Sequence, residues 1–227
     1  MKIRLQILLA LAVIATGCGK TMVRKDVAAD GTVQIVDTVQ TAAAAPHVIS
    51  GTFTDTRDGK TYRTVKIGDQ TWMAENLNYE TGSSVCYANK ESNCQKYGRL
   101  YDWDDAMKAC PAGWHLPSDA EWTVLTDFVG GEKTAGTKLK SKTGWFTGKG
   151  YKAATDDYGF YALPGGLGFS CGSFVDAGYL GYWWSATEYD ANSAWYRYMY
   201  YSSEGVYRLN YRKSYLFSLR CSQDVRP

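Results

Sequence analysis

Cys110-Pro-Ala-Gly-Trp-His-Leu-Pro-Ser-Asp-Ala-Glu-Trp122 packs a helix end, a turn and a helix start into thirteen residues. Just upstream, Trp103, Ala106, Met107 and Cys110 fall at i, i+3, i+4 and i+7, one face of a helix. Asp104, Asp105 and Lys108 take the other face. Pro111 lacks an N–H and Gly113 tolerates left-handed geometry, so this helix stops there. Ser118 and Glu121 form Ser-x-x-Glu, a capping box in which each side chain satisfies a backbone N–H of the other. Trp122, Leu125 and Val129 continue as an apolar stripe with Phe128 beside it, and Gly130-Gly131 closes the second helix. Residues 113–117 are therefore expected to be a tight connection between two short amphipathic helices.

Strands flank this pair. Residues 51–77 read as a β-meander, with Asp58-Gly59 and Gly68-Asp69 as its turns. Arg63, Val65 and Ile67 alternate with Tyr62, Thr64 and Lys66, the pattern of a half-buried strand. Residues 79–100 read as a loop carrying Cys86 and Cys94, and a further short helical piece is expected around Leu139. Residues 144–182 are rich in glycine, aromatics and aspartate, a long irregular region of the kind that carries function on a rigid scaffold. Strands are expected at 183–187, 194–201, 206–211 and 216–221, with Tyr196, Tyr198 and Tyr200 on one face and Trp195, Arg197 and Met199 on the other. The expectation is a single α+β domain: two short helices packed on antiparallel β-sheets, with a long irregular loop region.

Six ordered blocks carry a family resemblance. They are Gln70-Thr71-Trp72-Met73-Ala74-Glu75-Asn76-Leu77, Tyr97-Gly98-Arg99-Leu100-Tyr101, Cys110 to Trp122, Ala162-Leu163-Pro164-Gly165-Gly166, Trp183-Trp184-Ser185-Ala186-Thr187-Glu188 and Leu219-Arg220-Cys221. Through them, residues 51–224 resemble the Fibrobacter succinogenes major paralogous domain. The helical half also resembles C-type-lectin-like folds, including the formylglycine-generating-enzyme-like branch. The resemblance implies a C-type-lectin-like architecture whose long-loop region binds ligand. It assigns no reaction.

The front of the chain gives an address. Lys2 and Arg4 precede the apolar run from Ile7 to Ala15, which is too short to span a bilayer, and Ala15-Thr16-Gly17-Cys18 follows. This looks like a bacterial lipoprotein signal: residues 1–17 removed, Cys18 lipidated, 18–50 a flexible tether, and 51–227 the domain. A thirty-residue tether reaches roughly 30 Å. Gly19, rather than an acidic residue, follows the cysteine, and by resemblance to diderm lipoproteins this implies the outer membrane. The formal net charge of +2 is too balanced for a nucleic-acid partner, which needs a concentrated basic patch.

With Cys18 lipidated, five of the six cysteines remain, and two bridges among five allow fifteen arrangements. The lectin-like resemblance implies Cys110–Cys221, first helix to last strand. Cys86–Cys94 is the second expected pair, closing a short local loop. Cys171 is left over and is expected to be a small buried thiol. No Cys-x-x-Cys occurs and His115 is the domain's only histidine, so no metal is expected. His115 is expected to be a structural hydrogen-bonding residue.

The expected function is a non-catalytic binding module on the cell surface, for polysaccharide or an envelope protein. Eight Trp and 18 Tyr supply aromatic faces, and the candidate ligand residues are Tyr151, Asp156, Asp157, Tyr158, Tyr179, Tyr182, Trp195 and Tyr196. Trp103, Trp114, Trp122 and at least one of Trp183 and Trp184 are expected in the core. Sugar-binding C-type lectins carry Glu-Pro-Asn or Gln-Pro-Asp and Trp-Asn-Asp; here Trp184-Ser185-Ala186 stands instead, so their calcium-dependent site does not carry over. Asp156-Asp157 offers oxygens suited to a structural calcium, without a motif to support one. No cofactor is expected. The alternatives are a structural or protein-interaction domain of an envelope assembly and, further off, a formylglycine-generating-type enzyme. The latter's copper chemistry needs a cysteine pair where this chain has only Cys171.

Overall fold

The computed structural model describes residues 48–224 and, before them, only the backbone of four short strands. In that N-terminal unit Val13–Ile14 pairs antiparallel with Thr21–Met22, and Lys25–Val27 with Val33–Ile35. The expected signal cleavage and the lipidated Cys18 lie outside the described residues, as does the tether up to residue 47 apart from those short strands. Among the described helices none is long and apolar enough to cross a membrane.

The domain opens with the expected meander, two residues earlier than the tether boundary of the sequence reading. Its strands are β1 (Ile49–Thr54), β2 (Thr61–Ile67) and β3 (Gln70–Met73). Gly59 and Gly68, at φ +75° and +60°, make the turns that L side chains resist. β2 departs from simple alternation. Tyr62 and Thr64 are buried on one face, and Val65 and Ile67 on the other. The reason is that this sheet lies between two cores. Tyr62 and Met73 join Trp114 and Leu116, whereas Val65, Ile67 and Trp72 join Trp122, Leu125 and Phe160.

Residues 79–100 are not all loop. Helix α1 (Glu91–Tyr97) lies within them, buried through Cys94 and Tyr97. Strand β4 (Leu100–Tyr101) leads to α2 (Trp103–Ala109), capped by the Asp102 carboxylate, which accepts the Asp105 N–H at 2.9 Å. The buried face of α2 is Trp103, Ala106 and Ala109; Met107, expected inside, is 44% exposed. The connection after α2 is also more than a turn. It contains β5 (Trp114–His115), which pairs with a C-terminal strand. Helix α3 (Asp119–Phe128) has the expected capping box and buries Trp122 and Leu125, with Val129 following them into the core while Phe128 stays exposed. Helix α4 (Ala135–Leu139) is the expected short piece.

The long irregular region follows, holding only the small hairpin β6 (Leu167–Gly168) and β7 (Phe174–Val175). Then come β8 (Leu180–Glu188), β9 (Ser193–Tyr200), β10 (Tyr207–Arg212), β11 (Phe217–Ser218) and β12 (Ser222–Gln223). Two five-stranded sheets result, in the orders β10-β9-β8-β11-β4 and β1-β2-β3-β12-β5. All pairings are antiparallel except β8 with β11. The class is α+β.

Two disulfides cross-link the domain, one over a long range and one locally. Cys110–Cys221 ties the end of α2 to the segment between β11 and β12, and Cys86–Cys94 closes the local loop onto α1. Both pairs are those expected. Cys171 is exposed, not buried. It sits at the tip of the β6–β7 hairpin, where its thiol lies 3.2 Å from the Ser173 hydroxyl, a contact that lowers its pKa.

Trp103, Trp114 and Trp122 are buried as expected, and of Trp183 and Trp184 both are buried. Between the sheets lies a polar node. The Asn76 Oδ1 accepts from Trp183 Nε1 at 2.9 Å and from Arg220 Nη2 at 2.8 Å, while its Nδ2 donates to the Tyr97 carbonyl at 2.8 Å. Arg220 is fully buried and also donates to the carbonyls of Met73 and Phe160, at 3.1 and 2.5 Å. Burial without a carboxylate in contact pushes its pKa down to about 9, so it stays cationic at neutral pH.

A polar groove as the candidate functional site

One set of polar side chains converges on open space beside the meander. A cleft of about 710 Å³ lies between the start of β2, the chain leaving β3, the C-terminal end of α1 and the irregular region. Lys60, Arg63, Glu75, Asn78, Lys96 and Tyr161 supply its chemistry. Glu75 clamps Arg63. Its carboxylate accepts the Arg63 backbone N–H at 2.8 Å and the Nε–H at 3.1 Å. The guanidinium carbon stands 4.6 Å above the Tyr161 ring centre. Lys60 Nζ donates to Asp58 and to the Asn78 carbonyl, each at 2.8 Å. Beneath them, the Tyr62 hydroxyl accepts the Asn78 N–H at 3.1 Å, and burial pushes its pKa up to about 12.

Tyr161 is held by the fold. It sits at φ +56°, and Asp156 at φ +45°, the left-handed region that a bulky residue enters only when its surroundings enforce it. The enforcement is visible. The Tyr161 N–H donates to Asp156 Oδ1 at 2.9 Å, and Arg220 reaches the Phe160 and Tyr161 carbonyls from below, the latter at 3.4 Å. Burial raises the Asp156 pKa. The segment 156–161 is thus wired to the buried node and sets Tyr161 against Arg63.

A second cleft of about 420 Å³ adjoins the first, and Arg63 lines both. Its walls are Ser50 and Thr52 of β1, Val65 of β2, Ala74 and Gly159. The groove offers hydrogen-bond donors and acceptors, the Arg63–Tyr161 cation–π pair and, among the cleft-lining residues, one carboxylate, Glu75.

The eight candidate ligand residues are scattered. Tyr182 and Tyr196 are core and pack against Phe217, Tyr182 stacked on its ring and Tyr196 tilted to it. Their place in the alternating strands points them inward, so they present no face to a ligand. Tyr151 and Tyr158 lie half-buried against the second core, Tyr158 with its edge to Phe128. Asp156 turns inward to the Tyr161 N–H, and Asp157 is half-buried beside it. Tyr179 is exposed and stacks on Phe146 with ring centres 4.8 Å apart. Trp195 is half-buried beneath the Arg208 guanidinium, 3.3 Å from the ring centre. Only Asp156 touches the groove's machinery, through Tyr161. The groove residues Arg63, Glu75, Asn78 and Tyr161 were not singled out from the sequence. The alternation in β2 grouped Arg63 with the apolar Val65 and Ile67 and so did not mark it as exposed, and nothing local announced a positive φ at a tyrosine.

His115 lies elsewhere, between two carboxylates. Its Nδ1 is 2.6 Å from Asp224 and its Nε2 2.6 Å from Glu121. The Glu121 hydrogen bond, with Asp224, lifts its pKa to about 9. It joins β5, α3 and the C-terminal segment. Among the described residues one group of three metal-type ligands comes together, Cys86, Glu91 and Cys94, and its two sulfurs are bonded to each other.

The family model described as the Fibrobacter succinogenes major domain matches residues 65–223. No curated protein and no solved structure matches the chain.

Proposed function

We propose, proceeding from the fact that the chain belongs to the Fibrobacter succinogenes major domain family, that it is a non-catalytic binding module for a cell-envelope or environmental polysaccharide. The carrying observation is the groove itself: a cleft of about 710 Å³ lined by hydrogen-bonding side chains around a fixed Arg63–Tyr161 pair. Sugars need many donors and acceptors set in place beforehand, and a preorganised lining supplies them without an ordering cost. A hydrolase of the common kind uses two carboxylates on either side of the bond it breaks. The cleft lining has Glu75, already engaged by Arg63. A formylglycine-type oxidase needs a cysteine pair, and Cys171 is the one unbridged cysteine among the described residues.

In this reading the architecture is C-type-lectin-like. The bridge from the end of α2 to the segment after β11, and the long irregular region resting on two sheets, support it. The domain is displayed on a lipid at Cys18 and the tether 18–50, at the outer membrane. Neither a metal nor another cofactor takes part.

The test is binding of the purified protein to a panel of cell-wall and capsular polysaccharides, with calcium and again with EDTA. Saturable binding in both arms, weakened about tenfold by Tyr161→Ala and unchanged by Tyr179→Ala, is expected. Loss of binding in EDTA would bring a metal into the site. No binding across the panel, from protein with a native unfolding transition, overturns the reading.

A second reading, a protein-interaction domain of an envelope assembly, is favoured by a different observation. Strand β10 is a sheet edge, and it exposes Leu209 (49%) and Tyr211 (40%). Unpaired edges accept a further strand from a partner. Capture of one envelope protein, abolished by Leu209→Lys and indifferent to added polysaccharide, separates it from the first.

A further inference from the structure

We propose that the groove takes an extended, carboxylate-bearing glycan chain, with an acidic sugar held at Arg63 and neighbouring sugars in the two clefts that meet there. This deepens the polysaccharide reading and rests on it.

Three observations converge. The first is charge. Lys60, Arg63 and Lys96 line the larger cleft against the single carboxylate of Glu75, and Asp58, which holds Lys60, stands outside the lining. The second is the state of Arg63. Glu75 takes only its backbone N–H and Nε–H; among the described residues neither terminal nitrogen has a hydrogen-bond partner. Glu75 and the Tyr161 ring therefore fix the guanidinium and leave its outer edge free. That edge, two parallel N–H donors, matches a carboxylate. Arg63 is half exposed, with 51% of its side chain accessible, so a ligand reaches it without displacing the fold.

The third is continuity. Arg63 belongs to both clefts, and the walls run along the chain from Lys60, just before β2, to Val65 within it. At about 3.3 Å per strand residue this is about 16 Å of groove. One monosaccharide fills a fraction of it. The smaller cleft offers the Ser50 and Thr52 hydroxyls beside Val65, Ala74 and Gly159, a mix of polar edge and apolar floor suited to a sugar ring.

The test measures affinity for oligogalacturonides of one to six residues and for cello-oligosaccharides of the same lengths, by calorimetry at two salt concentrations. The acidic series is expected to bind at least tenfold tighter than the neutral one, and to gain at least tenfold from monomer to tetramer. The difference between the series should shrink as salt rises. Arg63→Gln should bring the acidic series down to the neutral level. Ser50→Tyr, which fills the smaller cleft from an exposed strand position, should weaken the hexamer and leave the dimer unchanged. Equal affinity for both series, or no gain with length, overturns this inference while the polysaccharide reading stands. Saturable binding to other polysaccharides with none to either series does the same. No binding to any glycan overturns both.

Discussion

Asn76 is where a single substitution should damage this domain most for its size. Its side chain is 5% exposed and makes bonds to three separate segments: β8 through Trp183, the C-terminal segment through Arg220 and the end of α1 through the Tyr97 carbonyl. Asn76→Ala leaves the Trp183 indole N–H and the Tyr97 carbonyl without partners. A buried polar group left unsatisfied costs about 1–3 kcal/mol, and bonds to a charged group such as Arg220 are at the stronger end. The expected loss is about 4–6 kcal/mol, a large part of the 5–15 kcal/mol typical of a whole domain. Asn76→Asp separates the causes. It keeps acceptors for Trp183 and Arg220 and gives the buried guanidinium a counter-charge, but it sets an oxygen against the Tyr97 carbonyl. It should cost about 1–3 kcal/mol, less than alanine. Urea unfolding followed by tryptophan fluorescence measures both, with a common slope as the check on two-state behaviour. A cost below 1 kcal/mol for Asn76→Ala, or a larger loss for aspartate than for alanine, refutes the reasoning that this node holds the sheets together.

Removing Cys110–Cys221, which spans 111 residues, by paired serine substitution should cost about 4–5 kcal/mol in the chain-entropy account, against about 2.5 kcal/mol for Cys86–Cys94; unfolding midpoints of the two double variants give the order. His115 sets a pH window. Its folded pKa of about 9 lies above the ordinary 6.5, so its contribution is full below about 6.5 and is lost as pH rises through 9. Glu121 works in the opposite sense. Against the desolvation that raises it, the His115 and Ser118 hydrogen bonds hold it at about 2, so its contribution is full above 4.5 and lost as pH falls through 2. The melting-temperature gap between the native protein and His115→Asn should therefore be widest between pH 4.5 and 6.5 and should close by pH 9.5; a gap that does not move with pH refutes the bridge. Cys18→Ala should abolish incorporation of labelled palmitate in a diderm host, and retained label would dismiss the lipoprotein reading.

What the sequence disclosed was local. The capping box at Ser118 and Glu121 and the meander turns at Gly59 and Gly68 each involve residues a few positions apart, and each stands where expected. What it concealed was set at a distance. Trp114–His115 is a strand because Ser222 and Gln223 come to pair with it, more than a hundred residues later. Helix α1 escaped notice because Lys90 offers no capping side chain and only Cys94 and Tyr97 are buried, too few to make a stripe. Met107, expected on the covered face, is exposed and Ala109 is buried because the periodic pattern gives a helix face only to within one residue's rotation. Tyr182 and Tyr196 were read as ligand residues because alternation separates two faces without saying which one is covered.

The groove was hidden for a related reason, and this bears on how the domain divides its labour. Asn76, Trp183 and Arg220 lie in blocks that carry the family resemblance, and all three are spent on the buried node. Arg220 then reaches out of that node to the carbonyls of Phe160 and Tyr161 and fixes the segment that presents Tyr161. A scaffold residue thus determines the shape of the groove without appearing on its surface. The rim is drawn from both sides of the start of the family match: Glu75, Lys96 and Tyr161 lie within it. Lys60, Arg63, Ser50 and Thr52 precede Val65, where the family match begins. Exposed strand residues are released from the packing that constrains the node, because their side chains end in solvent. If the proposed binding reading holds, the choice of ligand rests on these exposed side chains, and the buried frame fixes only where they stand.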